Sequence, residues 1–240
     1  LGTHLKALVA SLPEAQTRVF RAVLENLRWF AGEQIRNVSA IGGNVCTASP
    51  ISDLNPIWVA CGSVAVVVSE AGGERTIPFT EFFTGYRKTA MTAEEILLSI
   101  SIPFTSEHEY VEAYKQARRR DDDIALVNGC FKVVVAPSAD GPVVSEARLC
   151  FGGMNRTIVS ADGAAAALVG KVWNQAAYES AALALEADLP VDVGAPPGIS
   201  DCGSEYRRAV SVGLLLKYYL TVSQQVGLVV PTKEASATLR

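Results

Sequence analysis

Ala40-Ile-Gly-Gly-Asn-Val-Cys-Thr-Ala-Ser-Pro-Ile-Ser-Asp-Leu-Asn-Pro56 packs paired glycines, several hydroxyl and amide side chains, two prolines and one carboxylate between two apolar stretches. A core element does not need that mixture, and Gly42-Gly43 weaken an ordinary strand or helix. Paired glycines let backbone N–H groups approach a ligand closely, and Asn44, Thr47, Ser49 and Ser52 add donors and acceptors at short intervals. Ser52 or Asp53 is placed to cap a helix that starts near Leu54, and such a terminus favours anionic groups. Two readings stand side by side: a ligand-binding loop, and a polar loop that caps a helix and binds nothing.

Outward from this stretch, residues 5–12 and 17–30 show helical spacing, with Val19, Phe20, Val23, Leu24 and Leu27 on one face. Residues 54–61 read as a short helix with Pro56 in its first turn. Residues 63–69 and 75–79 read as strands turned by Gly72-Gly73, and 95–102 as a strand ended by Pro103. Further strands follow at 110–116, 124–135 and 143–151. Beyond Ser160 the pattern turns helical, over 161–168, 174–187 and 204–223, and 226–240 reads as a linker. Sheets followed by a block of helices predict an α+β fold rather than alternating βαβ units. Gly42-Gly43 also lacks the Gly-x-Gly-x-x-Gly spacing of a dinucleotide-binding turn.

The chain has 240 residues, 49% hydrophobic and 19% charged, with a formal net charge of −4. Two modest domains fit that length. The low charge content suggests surface buried against a partner or further chain, and the acidic balance argues against nucleic acid or an anionic membrane. The longest apolar run, 210–220, contains Lys217 and is too short to span a bilayer. Leu1 stands where a complete chain would begin with methionine, so the sequence is expected to be part of a longer protein. Cys46, Cys61, Cys130, Cys150 and Cys202 are scattered, with no Cys-x-x-Cys spacing. They read as reduced, mostly core residues, and no metal site is expected.

Several motifs resemble one family. Leu27-Arg-Trp-Phe-Ala-Gly32, Ala40-Ile-Gly-Gly-Asn44, Thr47 to Pro56, Gly85-Tyr-Arg-Lys88, Tyr114 to Ala125 and Leu149-Cys-Phe-Gly-Gly-Met154 occur in the order of the flavin-binding region of xanthine dehydrogenase/oxidase. The resemblance runs from about Leu5 to about Gln225. It implies three parts: the second part of an FAD-binding domain over 1–88, a C-terminal α+β flavoprotein domain over 89–225, and a linker toward a molybdenum domain over 226–240. The fold expected is a partial two-subdomain FAD-binding fold, then an antiparallel sheet packed with a helical block. The first flavin subdomain would lie upstream, with 2Fe-2S clusters and molybdopterin in domains outside this chain.

The resemblance also assigns residues. Phe30, Ala40, Gly43, Asn44, Thr47, Ser52, Asp53, Leu97 and Lys115 would contact FAD. By the residues alone, Phe30 reads rather as a core aromatic, and Lys115 as a solvated edge lysine or as a lone strand charge that needs a partner. Ala40 departs from the family pattern, which often has serine there, so a hydroxyl contact is lost. Tyr86 would border the pocket for NAD, and Arg28, Trp29 and Arg120 would form a cation–π cluster that tethers the loop carrying Asp122. Taken by itself, Arg118-Arg-Arg-Asp-Asp-Asp123 is a self-compensated, solvated turn. No residue is expected to act as a catalytic acid, base or nucleophile. The implied activity is oxidoreduction, with electrons relayed through FAD to NAD or dioxygen in a cytoplasmic or peroxisomal homodimer. The flavin region of an aldehyde oxidase and a non-catalytic α+β interaction domain remain as alternatives.

Overall fold

A computed structural model describes residues 1–190 and 203–228. Most of the linker expected over 226–240, and Cys202, lie outside the described residues.

Helices lead the chain. α1 (Gly2–Ser11) and α2 (Glu14–Arg28) pack together, and α2 buries Val19, Phe20 and Val23 along the face that the spacing predicts. The glycine-bearing stretch departs from expectation. It is not one loop but includes α4 (Ile41–Thr47), preceded by α3 (Glu33–Val38). Gly42 and Gly43 lie inside α4, where helix propensity argues against them. Burial of Val45 anchors the segment, and the left-handed residue Ala48 closes it at φ 48°. A helix this short, with two glycines, carries too few apolar positions for periodicity to register. α5 (Asn55–Ala60) follows with Pro56 in its first turn, and all six of its residues are buried.

β1 (Val64–Ser69) is the centre of a three-stranded antiparallel sheet, flanked by β2 (Gly73–Pro78) and β5 (Ile96–Ser101). Between β2 and β5 run the one-turn helix α6 (Phe79–Phe82) and a small hairpin, β3 (Phe83–Gly85) with β4 (Lys88–Thr89). The division expected near residue 88 thus falls ahead of β5, a strand that pairs with β1.

The second sheet runs β6-β7-β8-β9, all antiparallel: β6 (Glu109–Ala117), β7 (Ala125–Ala136), β8 (Val143–Gly152) and β9 (Val159–Ser160). Both of its faces are covered. Phe131, Val133, Leu149 and Phe151 pack with residues of α7 (Asp162–Leu168), α8 (Gln175–Asp188) and α9 (Ser204–Gln225), and with Trp173. Val111, Ala113, Cys130 and Cys150 join the core built around Phe20, Ile57, Trp58 and Phe79. Burial on both sides explains why β7 is apolar apart from Asn128 and Lys132 rather than alternating. Cys61, Cys130 and Cys150 are free and buried, whereas Cys46 is exposed.

One seam fixes the turn 48–54 against the second sheet. The N–H of Gly153 donates to the Pro50 carbonyl at 2.9 Å, and Nδ2 of buried Asn128 donates to the Ser52 carbonyl at 2.8 Å. The Gly153 carbonyl accepts from Nη1 of Arg207 at 2.6 Å, which brings α9 into the same seam. Gly153 has φ +83°, and a Cβ there would lie 2.3 Å from the Leu126 carbonyl oxygen. Gly153→Ala is therefore expected to cost ~3 kcal/mol or more in urea unfolding, through combined strain and overpacking. A midpoint equal to that of the parent would show that the seam is not tight.

Candidate cofactor site

The turn that ends Ser52-Asp53 meets the C-terminus of α2 and the middle of β6. Asp53 comes from the turn and Lys115 from the strand. Lys115 Nζ lies 3.0 Å from Asp53 Oδ1, with the two side chains only 5% and 11% exposed. The same ammonium donates to the Trp29 carbonyl at 3.1 Å. Asn26, on the buried face of α2, donates from Nδ2 to the Asp53 carbonyl at 2.8 Å. Three segments distant in sequence are thus joined through polar groups largely withdrawn from water.

Electrostatics at this junction are finely balanced. Burial pushes the Asp53 carboxyl above its usual range, and the Lys115 ammonium pulls it back only in part. A buried charge whose neutral form is favoured adds little to stability by itself. Lys115 also places a cation at the end of α2, where the helix dipole favours one.

The backbone beyond α2 is held by a second cation. Arg36 Nη1 donates to the carbonyls of Phe30 at 2.7 Å and Ala31 at 2.6 Å, and Ala31 adopts φ +44°. Phe30 is half-buried on this pinned turn rather than sealed in a core. The neighbouring Trp29 indole donates to Glu25 Oε1 at 2.9 Å. The guanidinium groups of Arg28 and Arg120 stand 4.8 and 5.2 Å from the Trp29 ring centroid. Those three residues come together from α2 and from the loop between β6 and β7.

Across the turn, Ser52 Oγ donates to Asn44 Oδ1 at 2.6 Å and accepts from the Asn55 N–H at 3.4 Å. Ser52 therefore supports the start of α5, although the residue at the cap position is Leu54, with no side-chain cap. Ala40 occupies the cap position of α4 and provides no side-chain bond. The Thr47 hydroxyl donates within α4 to the Gly43 carbonyl at 2.7 Å, leaving its lone pairs for other partners. A Cβ on Gly42 or Gly43 would meet nothing within 4 Å, so α4 presents an open face. Leu97, half-buried on β5, pairs with Val67 and joins the core that also holds Ile41 of α4.

Tyr86 and Asp122 stand further out. Tyr86 lies in the β3–β4 turn, where its ring contacts Arg87 rather than any of these residues. Asp122 is exposed with φ +49°, and its carbonyl accepts from Arg119 Nη2 at 2.8 Å. Asp123 closes the same loop by accepting from the N–H groups of Arg119 and Ile124, which hold its carboxyl below the usual range.

Asn26, Arg36 and Asn128 organise the site without any sequence motif to announce them. Asn128 left a signal, as an isolated amide in an apolar run, whereas Asn26 stands among Glu25, Leu27 and Arg28. A polar side chain on a buried face must find a partner, and here both find carbonyls of the 52–53 turn. Among the described residues, no group of three or more His, Cys, Asp or Glu side chains is arranged to hold a metal ion. Nor is any described helix long and apolar enough to cross a membrane.

The donor set fits a planar, polar-edged cofactor: a buried acid and base, amide and hydroxyl groups beside them, an open glycine face, and apolar Phe30 and Leu97 nearby. The pair itself can be tested without a ligand. Lys115→Met leaves Asp53 buried without its base, at an expected cost of about 3 kcal/mol at pH 7. The folded state holds the Asp53 proton to a higher pH than the unfolded chain does. In Lys115→Met the ammonium that pulls the carboxyl back is gone and its value rises further, so the variant's deficit grows as pH rises toward that value and should be smaller at pH 5 than at pH 7. Urea titrations at the two pH values check this, and equal losses would show that Asp53 is not the group responsible.

Comparison with known proteins places these residues in context. Residues 3–105 match the FAD binding domain in molybdopterin dehydrogenase, and residues 112–222 match the CO dehydrogenase flavoprotein C-terminal domain. The chain is 44% identical over 219 residues to a xanthine dehydrogenase of Dictyostelium discoideum, a match over 86% of this chain and 16% of that protein. It is 45% identical over 220 residues to the xanthine dehydrogenase/oxidase of Rattus norvegicus, over 91% of this chain and again 16% of the relative. Among solved structures, carbon monoxide dehydrogenase from Hydrogenophaga pseudoflava superposes with a TM-score of 0.73 at 25% identity, covering 90% of this chain and 71% of that one. The chain belongs to the FAD-binding region of the molybdenum-containing hydroxylase family, as a homologue of xanthine dehydrogenases.

Proposed function

We propose that this chain is the flavin portion of a xanthine dehydrogenase/oxidase, with FAD bound at the junction of α2, α4, the 48–54 turn and β6. The supporting observation is the buried Asp53–Lys115 pair beside the open face of α4. An acceptor and a donor already held out of water offer polar contacts with much of their ordering cost met before a ligand arrives. Asp53 and Lys115 would offer polar contacts to the flavin nucleotide, with Ala40, Gly43, Asn44, Thr47 and Ser52 lining the same pocket. Phe30 and Leu97 give apolar contact to the ring system, with Arg36 keeping the Phe30 turn in place.

Bound FAD would supply the redox chemistry that passes electrons, arriving from 2Fe-2S clusters in other domains, to NAD or dioxygen. The residues here bind, orient and set local potential. None is asked to act on the purine, whose oxidation from hypoxanthine and xanthine to urate belongs to a molybdopterin domain elsewhere in the same enzyme. Arg28, Trp29 and Arg120 would tether the 118–123 loop, from which Asp122 would influence the local potential of a bound flavin, and Tyr86 would border the nicotinamide approach. Phe30 and the Arg/Asp loop, which match the NAD-using members of the family, favour such an enzyme over an aldehyde oxidase. The reading extends to a cytoplasmic or peroxisomal homodimer whose chain carries the second part of an FAD-binding domain over 1–88, the C-terminal flavoprotein domain over 89–225 and a linker over 226–240.

Two outcomes test it. Asp53→Ala in the native protein should lower the FAD-to-protein ratio, measured by releasing and quantifying the flavin, while other chromophores keep their absorbance. Normal flavin content would remove Asp53 from the site. Arg120→Ala should raise the share of electrons that reach dioxygen rather than NAD, assayed as superoxide and peroxide against NADH. An unchanged ratio would count against the arginine tether.

A further inference from the structure

We propose that Lys115 is a positioning residue for the arginine clamp as well as a wall of the cofactor pocket. Its single ammonium ties Asp53 to the backbone of Trp29, and so fixes the indole on which Arg120 holds the loop between β6 and β7. The Trp29 N–H is already engaged with the carbonyl of Asn26 at the end of α2, whereas the Trp29 carbonyl points to Lys115. Lys115 in turn lies within β6, paired with Asn128 of β7, and Asn128 holds the Ser52 carbonyl. The loop leaves β6 just after Ala117, two residues beyond Lys115, and rejoins the sheet at Ala125. Between those ends, Arg120 reaches back to the Trp29 ring.

The chain of contacts has a consequence. Any group that competes for the Lys115 ammonium at the Asp53 end also bears on the Trp29 carbonyl at the other, because one Nζ serves both. Only this functional consequence rests on the flavin reading above. The link itself is a property of the protein and can be read with flavin absent.

Trp29 makes that reading possible. The chain has three tryptophans, and Trp58 and Trp173 are 0% and 2% exposed, so acrylamide quenching of tryptophan emission reports chiefly on half-buried Trp29. In native protein stripped of flavin, Lys115→Met should raise the quenching constant and should speed tryptic cleavage after Arg118, Arg119 or Arg120 by about fivefold. Trp29→Leu should speed cleavage to the same extent, and the Trp29→Leu/Lys115→Met double variant no further. Lys115→Arg, which keeps a cation in place, should restore protection. Asp53→Asn alone should leave the loop protected, because the bond to Trp29 survives.

Quenching of Trp58 and Trp173 in a Trp29→Phe background should not change on adding Lys115→Met, which separates local release from general loosening. If Lys115→Met does not fold, Asp53→Asn/Lys115→Met, which leaves no buried unpaired charge, replaces it with the same expectation. Parental quenching and cleavage in these variants, or additive effects of Trp29→Leu and Lys115→Met, would overturn the proposal. The expected quenching and cleavage in stripped protein whose parent form then takes up no FAD on titration would leave the link standing and count against the flavin reading alone.

Discussion

The buried ion pair between Asp53 and Lys115 is the constraint around which the first half of the molecule is arranged. A charge this far from solvent is tolerated only when its partner and its hydrogen bonds are fixed in place. Each element that meets it supplies one such fixture. α2 gives the Asn26 amide and the Trp29 carbonyl, the 48–54 turn gives the carboxylate, and β6 gives the ammonium. Because the pair adds little stability itself, its cost is met by the packing around it. Val19, Phe20, Ile57 and Trp58 lie in the core immediately behind, all nearly or fully buried.

That core depends on the second sheet having no free face. β7 is buried on one side by α7–α9 and on the other by the α2–α5 layer. The two halves of the chain are therefore not merely tethered neighbours. The sheet of the second half supplies Val111, Ala113, Cys130 and Cys150 to the core of the first, together with Lys115 to its polar junction. A site at such a meeting of layers inherits rigidity from both, which is what a cofactor pocket needs. The pieces left outside are the ones with room to move: the 118–123 loop with its left-handed Asp122, and the Tyr86–Arg87 turn with Arg87 at φ +54°.

Much of this was legible in the sequence, for identifiable reasons. α2 announces itself because Val19, Phe20 and Val23 recur at helical spacing, and β6, β7 and β8 because aromatic, valine and other apolar residues cluster between turn residues. The motif order around Asp53 and the 118–123 run points to the candidate site from the sequence itself. What stayed hidden was short or long-range. α3, α4 and the β3–β4 hairpin hold few residues each and contain glycine or polar side chains, so tertiary packing rather than local propensity decides them. Lys115 was recognisable as a charge on a strand needing a partner, but its bond to the Trp29 carbonyl spans 86 residues. No periodicity encodes a contact of that range. Arg36 was invisible for a different reason, since an arginine in a polar stretch looks solvated until the turn it clamps is seen.

A high-resolution structure of the native protein with FAD bound tests the central claim most directly. The account predicts the flavin ring system within van der Waals contact of Phe30 and Leu97, with its polar edge in hydrogen-bond reach of Asp53 or Lys115. Flavin bound elsewhere on the chain, with the Asp53–Lys115 pair untouched and sealed behind its core, would contradict it.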